Sequence, residues 1–122
     1  MSTQEVSRRL SLVGELCCSP LLQAPLGSVD ADALATALKV LADPARLRLL
    51  SLIRAAQGSR ATTGALAEQV GLTQPTVTHH LGALFEAGFV EREREGRQTW
   101  YWVNGDALHA IQQLLEPAPA GR

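Results

Sequence analysis

The stretch TTGALAEQVGLTQPTVTHHLGALFEAG, residues 62–88, decides the fold. It divides at Gly71 into a short amphipathic segment over roughly 63–70 and a longer one that starts behind Thr73. Threonine is a helix-capping residue, and Pro75 falls in the first turn of the second segment, where a missing N–H is tolerated. Ala67 is small enough to let the two helices approach, Gly71 accepts the positive φ of a short turn, and Val77 anchors the second helix on the first. With Leu66, Val70, Leu72, Leu81 and Leu84 completing an apolar core, the pattern predicts a helix-turn-helix.

Immediately downstream the period changes. In FVEREREGRQTWYWV (89–103), Val90, Arg92 and Arg94 alternate with glutamates, and Glu95-Gly96 supplies a turn. Thr99, Tyr101 and Val103 then oppose Trp100 and Trp102, which predicts a β-hairpin. Asn104 caps a last helix, NGDALHAIQQLLE, with Leu108, Ile111 and Leu115 on one face. Upstream, DADALATALKVLAD predicts a helix capped by Asp30, with Leu34, Leu38 and Leu41 on one stripe. Asp43-Pro44 restarts the helix through PARLRLLSLIRAAQG, which stops near Gly58. Its Leu47, Leu49, Leu50, Leu52 and Ile53 cover more than one face, so this element is expected to be central. A further amphipathic helix is expected over residues 4–17, where Val6, Leu10, Val13 and Cys17 stand at helical spacing.

The expected fold class is mainly α (α+β): a winged helix-turn-helix with a two-stranded β wing. An N-terminal dimerisation helix and cysteine-bearing connector occupy 1–29, the winged domain with a C-terminal dimerisation helix 30–116, and a frayed tail 117–122. The apolar stripes of the first and last helices need a partner, which a second copy of the chain would supply.

At 122 residues and 46% apolar content the chain has room for one domain and an apolar subunit interface. No apolar run approaches the roughly 18 residues that would span a bilayer, and Glu5 and Glu15 interrupt any secretory-type segment. A cytoplasmic location with reduced thiols is therefore expected. The net charge of −1 excludes a uniformly basic protein. Residues 44–103 nevertheless hold seven arginines against five glutamates, while the flanks hold four basic and seven acidic groups. The middle of the chain is the part suited to an anionic partner.

Turning Val77 inward at about 100° per residue points Pro75, Thr76, Thr78, His79 and Gly82 outward, with Gln74 at the edge beside Thr73. Gln74 is the residue type that bonds adenine in bidentate fashion, and Thr76 or Thr78 offers a hydroxyl or methyl to a base edge. A helix N-terminus at Thr73 favours phosphate, and Arg92, Arg94 and Arg97 suit phosphate or the minor groove. Together they predict double-stranded DNA as the partner; the competing reading is a wing used for protein contact alone. His79 and His80 lie about 100° apart and cannot chelate one ion from one face. His80 is expected at the core edge. No nucleophile–base–carboxylate set, glycine-rich phosphate loop or paired carboxylates stand out, so no catalytic residue is assigned and no enzyme is expected.

ALKVLADPARLRLLSLI (37–53), LAEQVGLTQPTVTHHLGALFEAGFV (66–90) and EREGRQTWYWV (93–103) resemble the ArsR/SmtB family of metal- and metalloid-responsive repressors. The resemblance implies a homodimer built from the first and last helices. It implies binding to an inverted-repeat operator without inducer and release when a metal or metalloid binds. One arsenic site of the family uses a Cys-x-Cys motif before the recognition helix; the matching stretch here, RATTGALAE (60–68), has no cysteine. Another uses carboxylate and His ligands on the last helix. Asp106 and His109, with Glu116 beyond, stand there at a different spacing, and a capping Asp beside a surface His is the plainer reading.

The only cysteines, Cys17 and Cys18, are adjacent in ELCCSP (15–20). Neighbouring Cα atoms lie about 3.8 Å apart, below the roughly 4.4–6.8 Å of ordinary disulfides. A bridging trivalent arsenic or antimony atom enlarges the ring and relieves that strain. The resemblance implies that members with such a pair complete the site with a third cysteine from the other subunit, where this chain has Ala61, Thr62 and Thr63. The third ligand is thus unassigned, and a methylated trivalent arsenical, needing only two sulfurs, fits the inventory. Zinc would need four ligands. A dithiol redox or sulfur sensor, an inducer-independent winged-helix regulator, and inert packing of both thiols stand as alternatives.

Overall fold

A computed structural model describes residues 25–115; the expected helix over 4–17, Cys17 and Cys18 lie outside the described residues. Helix α1 (Ser28–Leu41) starts behind Gly27, which brings no capping side chain. Asp30, expected as the cap, sits in the first turn instead, where its carboxylate faces the positive end of the helix dipole. The boundary expected between residues 29 and 30 therefore falls inside a helical turn.

Helix α2 (Pro44–Ala55) begins as its sequence demands. Asp43 Oδ1 accepts from the N–H groups of Ala45 at 2.9 Å and Arg46 at 3.2 Å, and Pro44 fills the first turn. The Arg46 N–H bond is the main cause of an Asp43 carboxyl held below its ordinary range. Desolvation opposes it, and the Ala45 N–H and the positive charge of Arg46 assist. A depressed carboxylate stabilises the fold above its unfolded pKa of about 3.9 and loses that contribution as pH falls through the folded value. Asp43→Asn keeps an acceptor oxygen that does not titrate. The wild-type advantage over Asp43→Asn in urea unfolding should hold from pH 7 to 5, begin to shrink near pH 4 and disappear only below the depressed folded value; a constant difference would contradict this role.

Beyond a short 3-10 turn (Gln57–Ser59) through Gly58 come β1 (Arg60–Thr62), α3 (Thr63–Val70), α4 (Gln74–Glu86), β2 (Val90–Glu95), β3 (Gln98–Val103) and α5 (Gly105–Leu115). The strands form one antiparallel sheet in the order β1-β3-β2. The wing is the expected two-stranded hairpin of β2 and β3, but β1 extends it to a three-stranded sheet. Arg92 pairs with Tyr101 and Arg94 with Thr99, and Gly96 makes the turn at φ 63°.

The core lies where α2, α3, α4 and the sheet meet. Leu49, Ile53, Leu66, Val77, Leu81, Leu84 and Val90 have no exposed surface there. Burial of each such side chain stabilises by about 1.5–3 kcal/mol relative to exposure. Gly71 ends α3 in the left-handed region (φ 74°), and its N–H and that of Leu72 both bond to Ala67 O. That turn carries Leu72 outward to 37% exposure, so it is not part of the core as its apolar character suggested. Leu47, at 52% exposure, likewise faces away from the buried side of α2. Asn104 caps α5, its Oδ1 accepting from Asp106 and Ala107 N–H. No helix among the described residues is long and apolar enough to cross a membrane.

Candidate nucleic-acid interface

The orientation of α4 follows from its buried side. Val77, Leu81, Leu84 and Phe85 point into the core, which leaves Gln74, Pro75, Thr76, Thr78 and His79 exposed. Gly82 is half-buried. Thr73 occupies the N-cap position with extended backbone, yet its hydroxyl makes no capping bond. It pairs instead with the Thr76 hydroxyl at 3.0 Å, so both hydroxyls stand together at the exposed N-terminal end of α4. His80 is half-buried at the core edge and its Nδ1 accepts from Arg46 Nε at 3.1 Å.

Strand alternation sorts the wing's charges onto two sides. Arg92 and Arg94 share a face with their partners Tyr101 and Thr99, whereas Glu91, Glu93 and Glu95 share the other with Trp100 and Trp102. On the arginine face, the Arg92 guanidinium stands 3.9 Å from the Phe85 ring centroid, tying the strand to the end of α4 by a cation–π contact. Arg94 Nε donates to Gly96 O at 3.2 Å, which fixes its stem over the hairpin turn, and Arg97 is exposed at that turn. On the opposite face Arg60 stacks 4.2 Å from the Trp100 ring centroid and bridges to Glu95 at 3.2 Å. The acidic side of the hairpin thus turns away from α4.

Between α4 and the wing runs an open polar trough. One part, about 420 Å³, is walled by Thr62, Thr63, Gln74, Thr78, Arg94, Arg97, Gln98 and Thr99; an adjoining hollow of about 450 Å³ adds Arg92 and, at its edge, Glu93. Gln74 reaches toward the start of α3: a Cβ added to Gly64 would lie 3.6 Å from Gln74 Nε2. Small-molecule sites are mostly apolar and enclosed. The part beside Gln74 is neither: it is open and offers hydroxyls, amides and guanidinium groups.

Gln74, Thr78, Arg94 and Arg97 are therefore brought together, with Arg92 beside them. Thr73, Thr76 and His79 continue the same exposed side of α4 without lining the trough. Thr62, Thr63, Gln98 and Thr99 were not assigned to the interface from the sequence. Thr62 caps α3, its hydroxyl accepting from Ala65 N–H at 3.2 Å; the β1 pairing places this corner beside the wing. The place that the family resemblance gives to a third cysteine is occupied by a buried Ala61, by the capping Thr62 and by Thr63 in the trough wall. Among the described residues no three His, Cys, Asp or Glu side chains converge as metal ligands.

A helix-turn-helix domain family matches residues 41–93. The chain is 36% identical over 102 residues to the probable mercury resistance operon repressor of Streptomyces lividans, covering 80% of this chain and 78% of that one. It is 34% identical over 83 residues to an arsenical resistance operon repressor of Staphylococcus xylosus, covering 68% and 77%. A biofilm growth-associated repressor of Agrobacterium fabrum is 40% identical over 95 residues, covering 76% and 79%. The solution structure of a homodimeric winged helix-turn-helix DNA-binding domain from Mycobacterium bovis superposes with a TM-score of 0.59 at 30% identity, covering 75% of this chain and 88% of that one. These are transcriptional regulators and not enzymes.

Proposed function

The chain belongs to the ArsR family of winged-helix transcriptional repressors, and on that footing we propose that it holds inverted-repeat operator DNA as a homodimer and lets go when trivalent arsenic or antimony binds Cys17 and Cys18. The observation that carries the DNA reading is the sorted wing: Arg92 and Arg94 stand on its α4 side and the glutamates on its back. In this reading Gln74, Thr76, Thr78 and His79 meet base edges in the major groove. The paired Thr73 and Thr76 hydroxyls sit at a helix N-terminus suited to a phosphate, and Arg92, Arg94 and Arg97 hold the flanking backbone. The chain is not an enzyme, and its place is with the DNA, in the cytoplasm.

Dimerisation runs through α5 and the N-terminal segment, in keeping with the homodimeric relative from M. bovis. Residues 1–29 then form the switch and residues 30–116 the reader. The arsenical and mercury resistance relatives are named for thiophilic elements, and the adjacent thiols suit such elements. Each thiol displaces one hydroxyl of arsenous acid as water and forms an As–S bond. The third position on arsenic is left to solvent, a small thiol or another side chain; a methylated arsenical arrives with it filled. The resulting ring reorders the segment that leads into α1, and the inducer shifts the dimer only by its preference for the released form.

The test is to let the wild-type chain enrich duplexes from a random pool. An inverted repeat with half-sites about 10 bp apart is expected, released by arsenite or a trivalent methylarsenical. No enriched duplex overturns the DNA reading. An enriched duplex released by peroxide or polysulfide but not by arsenicals would make the same dithiol a redox or sulfur sensor.

A further inference from the structure

A single guanidinium links three helices of the reader. Arg46 Nη1 donates to Val40 O in the last turn of α1 at 3.3 Å, and Arg46 Nε donates to His80 Nδ1 in the middle of α4 at 3.1 Å. The backbone N–H of the same residue is held by the Asp43 carboxylate at the start of α2, at 3.2 Å. Since His80 accepts at Nδ1, its proton lies on Nε2. The planar fork of arginine can serve two acceptors set at a fixed angle, which the point charge of lysine cannot reproduce.

The position of this link is what gives it meaning. α1 is the element continuous with the cysteine-bearing residues, and α4 carries Gln74 and Thr78 into the trough. His80 follows His79, which faces outward on the reading side, so a small rotation of α4 about the His80 contact changes what its exposed face presents. Asp43 and Arg46 are the charged groups that act on this imidazole from α2 and its cap.

We propose that Arg46 and His80 form a positioning latch through which α1 sets the pose of the recognition helix α4. Displacement of α1 pulls the guanidinium away from His80 Nδ1, and α4 leaves the orientation that fits DNA. The latch supplies the route between the dithiol and the reading surface, and it rests on the function proposed above. A pair that only filled space would accept any side chain of suitable volume; the latch requires an acceptor at the Nδ1 position.

That difference sets the experiment, with the duplex enriched by the wild-type chain as probe. Asparagine places its side-chain oxygen near the Nδ1 position, whereas glutamine reaches toward Nε2. His80→Asn should bind within about threefold of wild type, while His80→Leu, His80→Gln and Arg46→Lys each weaken binding about tenfold. Arg46→Lys/His80→Leu should be no weaker than either single change. Thermal midpoints are measured alongside. Equal affinities for His80→Asn and His80→Leu, whether both high or both low, overturn the latch.

A measurement on the unsubstituted chain covers variants that do not fold. The ¹⁵N resonance of His80 Nδ1 should show a hydrogen-bonded acceptor on the duplex and lose that signature when arsenite releases it. An unchanged resonance on release overturns the latch. If the wild-type chain enriches no duplex, the proposed function fails; if it does and these variants are indifferent, only the latch fails.

Discussion

A Cys17→Ser/Cys18→Ser chain is expected to stay on its operator at arsenite concentrations that strip the wild-type chain away. In the proposed site arsenic would be held by the two adjacent thiolates, and serine hydroxyls are hard, weakly nucleophilic donors that would not replace them. Allosteric couplings of this kind typically change affinity by about 5- to 150-fold. In the double variant that ratio should fall to one. Either single variant should behave like the double one, because one thiolate is too few to hold arsenite or a methylated arsenical. Release of the double variant by trivalent arsenicals, read by fluorescence anisotropy of a labelled duplex, would remove the dithiol from the sensing role.

Gln74→Ala and Arg94→Ala should fail in different ways, and by amounts nearly as large. Gln74 stands at the N-terminal end of α4, over the first turn of α3, where a side-chain amide can meet a base edge. Its loss should narrow the affinity ratio between the enriched duplex and one altered at the contacted base pair by about 1–3 kcal/mol, or roughly 5- to 150-fold. Arg94 is held by its Nε to the hairpin turn, and in the proposed complex it would address charge rather than sequence. Its loss should weaken every duplex alike and reduce the slope of log affinity against log salt by about one per contacted phosphate. Parallel behaviour of the two variants, across salt and across sequences, would contradict this division.

Much of the fold was legible because its instructions are local. Gly71, Pro75 and Val77 act within a few residues of one another, and the alternation from Val90 to Glu95 states its own period. Asp43-Pro44 and Asn104 announce helix starts through side chains that reach backbone two and three residues away. The misses share a different cause. β1 is three residues long and becomes a strand only because β3 lies beside it. Leu72 looks like core until the left-handed Gly71 aims it outward. Thr73 has the capping backbone, but its hydroxyl prefers Thr76.

The reading surface divides along the same line. The exposed residues of α4 follow from helical period alone, and the arginines of the wing from strand period. That Arg92 would lie against Phe85, that Thr62 and Thr99 would wall one trough, and that Arg46 would reach His80 across 34 positions all depend on tertiary contacts. No periodicity encodes them.

Amide hydrogen exchange on the wild-type chain, with and without its enriched duplex, tests most directly whether the trough is where DNA lies. Protection should rise over residues 73–80 and 92–99 when the duplex is added and fall back when arsenite is introduced. Protection absent from those residues, or concentrated on the outer side of the sheet around Trp100 and Trp102, would contradict the assignment.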